Sequence, residues 1–290
     1  MKRLAIMLLL LVSLLDAYTP QKEAQFGFGI TNDAIFTTDK LFTAANGFYY
    51  TFAHIPLQLS AVVDIYTPRR EDLALSIPPA GVHPYGGFLY LKGRYLFTPA
   101  PDHIVGVAAT VGATGEASGA RYFQHLWHSI IGRPLYAGWD SQIASRLGVQ
   151  ATMEYHYILR MQNFLLIPIV DATLGNLQSM QSMGLRIWGG YSWDEPFVAL
   201  YRSDHFVLNT YAQMQLRHID WNIFLTGFEG YRYGVEPLPY QLIGVLGIEA
   251  RWPVEHLTWG VLYETHFESN SYTTQEGGHA WAHLLLFVRY

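Results

Sequence analysis

His128 and Gln124 stand four residues apart in the stretch ARYFQHLWHSIIGRP, residues 120–134. At that spacing two side chains share one face of a helix. An imidazole titrates near neutral pH and can take a proton from water. An amide beside it can orient the reacting groups, so the pair has the makings of a hydrolytic site. The helix itself is legible: Phe123, Trp127, Ile130 and Ile131 recur at helical spacing, Gly132 supplies a cap and Pro134 a stop. Other candidates lie elsewhere. Asn32 and Asp33 open TNDAIFTTDKLFT and Thr43 ends it, Arg69 and Arg70 sit in DIYTPRRED, and Tyr85, Gly86 and Gly87 open PYGGFLY. Each has a bland alternative. His128 is one of twelve histidines, Asn32 with Asp33 suits a turn, and two loop arginines can be solvated charges beside an anionic surface.

These residues need a scaffold, and the rest of the chain alternates with period two. In HFVLNTYAQMQLR, Phe206, Leu208, Ala212, Met214 and Leu216 share one face; Asn209, Gln213, Gln215 and Arg217 take the other. VQATMEYHY sets Val149, Ala151, Met153, Tyr155 and Tyr157 against Gln150, Thr152, Glu154 and His156. HLTWGVLYETHF sets Leu257, Trp259, Val261, Tyr263 and Phe267 against His256, Thr258, Glu264 and His266. His156, His256 and His266 therefore read as lumen-lining. A soluble sandwich also alternates. The segment lengths, the aromatics at strand ends and the final strand closing on Tyr290 favour a membrane barrel with an apolar outside and polar inside.

Composition agrees. Half of the 290 residues are hydrophobic, 15% are aromatic and only 14% charged, well below the charge of an ordinary soluble domain. The net charge of −5 offers no basic excess for nucleic acid. With no cysteine there is no disulfide framework and no thiolate metal site. Residues 1–17 read as a secretory signal peptide: Lys2 and Arg3, an apolar run, then Ala17 as the cleavage position. Beyond it the longest apolar run, FLLIPIV at 164–170, is far too short to cross a bilayer as a helix and contains Pro168.

The expected fold is therefore all-β: residues 18–290 form a transmembrane antiparallel barrel of about twelve strands in the outer membrane of a Gram-negative bacterium. The strands fall at 25–31, 46–54, 57–66, 86–97, 103–112, 147–158, 162–172, 180–190, 205–222, 239–251, 256–267 and 279–290. Long connections at 32–45, 67–85, 113–146, 223–238 and 268–278 then face outward, and the short helix lies in the longest of them.

With these pieces in place, the chain resembles the outer-membrane lipid A 3′-O-deacylase family (LpxR-type). The resemblance is carried by ND at 32–33, the FT and NG of 42–47, DIYTP at 64–68, PYGGFLY at 84–90, GEASGARYFQHLWHSIIG at 115–132, GWDSQI at 138–143 and LGN at 174–176. It implies calcium-dependent hydrolysis of the ester-linked acyl chains at the 3′ position of lipid A. By position it implies His128 as general base and Gln124 as orienting group. Asn32, Asp33 and Thr43 would form the floor, with Asp33 supporting a Ca2+ ion. Oxygen-rich ligation suits calcium, which could polarise an ester carbonyl. Arg69, Arg70 and Tyr136 would meet the lipopolysaccharide substrate. Two departures stand out. Pro134 replaces an acid that the family carries six positions beyond the His. FTAANG stands for YTNG, so that two residues are added after Thr43 or the correspondence shifts. Two other functions remain open: a non-catalytic barrel of the same fold, and another outer-membrane lipid esterase using a serine such as Ser129. Oligomeric state is left open.

Overall fold

The computed structural model describes residues 23–33, 41–68, 72–193, 205–228 and 234–290. The expected signal peptide at 1–17 and the pair Arg69 and Arg70 lie outside the described residues. Among the described residues the alternating segments become twelve antiparallel strands: β1 Gln25–Asn32, β2 Leu41–Thr51, β3 Leu57–Thr67, β4 Gly86–Ala100, β5 His103–Thr114, β6 Leu147–Tyr157, β7 Leu165–Gly175, β8 Gln178–Tyr191, β9 Val207–Asn222, β10 Tyr240–Val254, β11 Leu257–Glu268 and β12 His279–Arg289. Leu159–Arg160 is a two-residue bridge that folds back on the start of β7 within the turn from β6. Each strand pairs with its sequence neighbours, and β1 pairs with β12, so the sheet closes with no free edge. Closure is what a lipid environment demands, because it leaves no backbone N–H or C=O without a partner.

Side chains sort as the alternation predicts. Met214, Leu246, Met153 and Leu286 are exposed on the outer surface, while Asn209, Gln215 and His156 are buried inside. Several interior bonds link strands that are not neighbours, which only a lumen permits: Arg94 of β4 to Glu154 of β6 at 2.5 Å, and Arg217 of β9 to Glu268 of β11 at 3.1 Å. Tyr211 donates to Glu264 in the same manner. The inner end is filled by Ile104, Leu165, Ile167, Ile169 and Trp188. At the outer mouth the short helix α2, Ile223–Thr226 in the 223–239 connection, lays Phe224 flat on Tyr66 at 4.3 Å between ring centres. Phe88, Leu177 and Ile143 pack around it. A lumen filled at both ends belongs to a small barrel whose interior is side chains rather than a channel.

Two sequence expectations are corrected. The second strand begins at Leu41, not 46, because its register slips between Phe42 and Ala44. This is a β-bulge, which breaks the period-two pattern that locates a strand. His256 does not line the lumen; it lies exposed in the tight turn between β10 and β11. The expected segment 205–222 is one continuous strand, β9.

Candidate functional site

The 115–146 connection leaves β5 through a 3-10 turn, Gly115–Ser118, and forms the second helix of the barrel's outer end, α1, Ala120–Ile131. Gly119 and Gly132 bracket α1 in the left-handed region at φ 67° and 69°, and the Arg133 N–H caps the His128 carbonyl at 2.8 Å. α1 does not stand over the mouth. It lies against the outer surface of the wall, where Ala120 packs with Val63 and Ile65 of β3, Leu73, Tyr85 and Trp139. Gly87 of β4 makes this approach possible: a Cβ there would collide with Ser118 and Ala120. The residues that α1 buries are Ala120 and Gln124. Phe123, Trp127 and Ile130 are exposed.

Gln124 is oriented by Trp139, whose indole N–H donates to Gln124 Oε1 at 2.6 Å. That bond turns the amide Nε2 the other way, where it is buried and has no hydrogen-bond partner among the described residues. A buried donor left unpaired is costly, of order 1–3 kcal/mol, and is a ready donor for a bound oxygen. His128 is held twice. Its Nδ1 lies 2.7 Å from the carbonyl oxygen of Pro134, and its ring meets Tyr136 edge-on at 4.8 Å. A carbonyl only accepts, so Nδ1 carries the hydrogen and Nε2 keeps the lone pair of the neutral ring. The orienting acceptor is thus the main chain of Pro134, at the position where the resemblance leads one to look for an acidic side chain.

The wall supplies the other half. Directly opposed residues of an antiparallel pair share a face. Asn32 of β1 lies opposite Ala282 of β12 and Ala44 of β2, Ala44 lies opposite Ile65, and Ile65 lies opposite Gly87. Asn32 therefore stands on the outer face, in one row with the surface that receives α1. The bulge brings Thr43 to the same face as Ala44, and Thr43 hydrogen-bonds Thr67 at 2.5 Å. Ala44 and Tyr136 both pack against the cluster that contains Trp139. Asn32, Thr43, Gln124, His128 and Tyr136 thus share the outer side of the wall, along the row that leads from β1 to the surface receiving α1. Asp33 turns the other way. It is wholly buried, with its carboxylate 3.9 Å from Nε2 of His279, and its backbone N–H bonds the Thr43 carbonyl at 3.1 Å.

Calcium takes six to eight oxygens, carboxylates prominent among them. Among the described residues no group of three His, Asp or Glu side chains could hold a metal ion. The patch around Gln124 offers neutral oxygens, and Asp33 is directed at His279. Neutral side-chain and main-chain oxygens are also calcium ligands, so the ion stays what the resemblance implies, and no step is routed through it.

Two neighbouring groups have displaced titrations. His125 is held below the ordinary imidazole range, first by burial and then by Arg121 and His128. Burial pushes the Tyr85 hydroxyl well up, so it stays a donor to the Leu73 carbonyl at 3.3 Å. Ser129 gives its hydroxyl to the His125 carbonyl at 2.8 Å, which ties it to its own helix and away from a nucleophile's role.

Sequence reasoning missed Trp139, Thr67 and the Pro134 carbonyl. Trp139 left a trace in the GWDSQI stretch and Thr67 in DIYTP; a main-chain carbonyl leaves none. Trp139→Phe tests the indole's part, keeping an aromatic ring while deleting the N–H donor together with part of the buried indole. Turnover is expected to fall roughly tenfold, the equivalent of one hydrogen bond of about 1.4 kcal/mol. A kcat equal to that of the unaltered protein would show that Gln124 needs no such tether.

A family model described as Outer membrane protein LpxR matches residues 4–290. Among solved structures the chain is similar to LpxR from Salmonella typhimurium, with a TM-score of 0.76 at 15% identity, covering 91% of this chain and 99% of that one. The beta domain of the Bordetella autotransporter Brka aligns with a TM-score of 0.46 at 9% identity, covering 94% and 99%. No curated protein sequence matches. A family match running over almost the whole chain, on the same closed barrel, means that this protein belongs to the LpxR family and is a lipid A deacylase-like protein of the outer membrane.

Proposed function

We propose that the protein hydrolyses the ester that links an acyl chain to the 3′ position of lipid A, at the outer face of the outer membrane. The observation that carries this reading is the fixed imidazole of His128. It rides on a helix docked to the lipid-side wall, with its Nδ1–H committed to Pro134 and its neighbour Gln124 presenting an unpaired amide. In this reading Nε2 of His128 removes a proton from water as the water oxygen attacks the ester carbonyl. Negative charge develops on the former carbonyl oxygen. The Gln124 Nε2–H is preorganised to receive it, because Trp139 already holds the other end of the amide. The imidazolium then returns its proton to the departing sugar oxygen, leaving a free fatty acid and a 3′-hydroxyl. Asn32 and Thr43 lie on the same side of the wall and position the ester. Arg69, Arg70 and Tyr136 serve the anionic head group. The serine-esterase alternative is disfavoured by the Ser129 hydrogen bond to its own helix.

The test is expression in cells that make ordinary hexa-acylated lipid A, followed by mass spectrometry of that lipid. Loss of the 3′-linked acyl chains is expected. Unchanged lipid A from cells with correctly inserted barrel would overturn the proposal in favour of a non-catalytic barrel. Calcium enters as what the resemblance implies. Activity lost on chelation and restored by added calcium is the result that calcium dependence requires; full activity in chelator would dismiss it.

A further inference from the structure

The helix α1 is amphipathic the wrong way round for a globular protein. Its inward face carries Ala120 and Gln124, 1% and 5% exposed, with the half-buried His125 and His128 beside them. Its outward face carries Tyr122, Leu126 and Ile130, 73%, 62% and 67% exposed, together with Phe123 and Trp127. In water a helix of this composition would turn over. A contiguous apolar face of that size marks a surface that meets something apolar.

What it meets is set by where α1 sits. The helix lies on the outer wall against Gly87, and the next outward residues down β4 are Leu89 and Leu91, both exposed. Below them an apolar groove of about 440 Å³ continues along the lipid-facing wall, lined by Phe48, Leu59, Ala61, Leu91, Gly93 and Val111. The exposed face of α1 is therefore continuous with the belt that the barrel presents to the bilayer. Arginines flank the helical segment, Arg121 paired with Asp140 at its start and Arg133 exposed just past its end. Apolar and aromatic side chains flanked by arginine are the features of a helix lying in a membrane interface.

We propose that the outward face of α1 is a membrane-docking surface that inserts among the acyl chains of the outer leaflet. The helix then separates two phases. Its apolar side is solvated by lipid, while its polar side, with His128 and Gln124, faces the barrel wall. This inference rests on the membrane location and the geometry of α1, and it holds whether or not His128 is catalytic.

The chain has no cysteine, so a single introduced thiol can carry a nitroxide label without interference. Leu126→Cys, Ile130→Cys and, as a water-exposed reference, His256→Cys are each refolded as the full-length barrel into phosphatidylcholine vesicles. Collisions with dissolved oxygen and with an aqueous nickel complex are then measured. At Leu126 and Ile130 the expected result is loss of nickel collisions and gain of oxygen collisions relative to His256. Nickel access equal to that at His256 overturns the proposal. So does protection from both reagents that disappears when the protein is diluted in lipid, since that assigns the face to a second copy of the chain. Two labelled positions guard against one substitution disturbing the helix.

Discussion

His128→Ala is expected to lower the rate of ester hydrolysis by roughly 10²–10⁴-fold, the usual contribution of a positioned general base, while leaving the barrel folded. The separation of the two effects follows from what His128 touches. Among the described residues it bonds the Pro134 carbonyl and meets the edge of Tyr136, both within one outer connection. Losing an aromatic contact and a solvent-accessible hydrogen bond costs about 1–3 kcal/mol locally. None of it falls on the twelve-strand ladder, whose bonds close between β1 and β12 and between β6 and β7. Lipid A product is measured by mass spectrometry over time, alongside the temperature at which the barrel unfolds in detergent. If activity survives within tenfold of the unaltered protein, His128 is not the base. A barrel that no longer inserts would make the residue structural. Pro134 sharpens the result. Because the acceptor for His128 is a main-chain carbonyl, the absent acidic side chain at that position removes no orienting bond that the imidazole needs.

The second large effect is expected from one methyl group. Gly87→Ala places a Cβ where Ser118 and Ala120 already stand, so the α1 layer must move off the wall. Overpacking of this kind costs about 1–3 kcal/mol. The strain is relieved most easily by the connection, since β4 is held on both sides by β3 and β5. A displacement of about 1 Å at the reacting groups is enough to cost about 10²-fold in rate. Gly93→Ala is the matched control on the same strand and face. There the added carbon would meet only Leu59, at 3.5 Å, an ordinary contact. Activity about 10²-fold lower for Gly87→Ala, near normal for Gly93→Ala, and a barrel that still unfolds cooperatively in both, with Gly87→Ala lower by no more than several degrees, are the expected outcome. Equal activity in both variants would mean that the docking of α1 on the wall is irrelevant to turnover.

The membrane barrel and most of its strand positions were legible because one rule governs them: a strand between lipid and lumen must alternate with period two, and it does so in β6, β9 and β11 over most of their length. The helix was legible for a similar reason, since its caps and stop at Gly132 and Pro134 act locally. Asn32, Thr43, Gln124 and His128 could be singled out by type and spacing alone, but not their common location. That depends on register: Asn32 opposite Ala44, Ala44 opposite Ile65, Ile65 opposite Gly87. It also depends on a bulge at Thr43 that turns this residue to the outer face, and a bulge breaks the very periodicity by which a strand is recognised. The adjacency of Asn32 and Asp33 in sequence hides the opposite facts that one faces the lipid side and the other His279. Trp139 finds Gln124 across fifteen positions of chain, and the acceptor for His128 is a backbone carbonyl, which no residue type announces. The inverted face of α1 is the clearest case. Sequence establishes that the helix is amphipathic, but which side is inside depends on what surrounds it, and beside a bilayer the apolar side is the outer one.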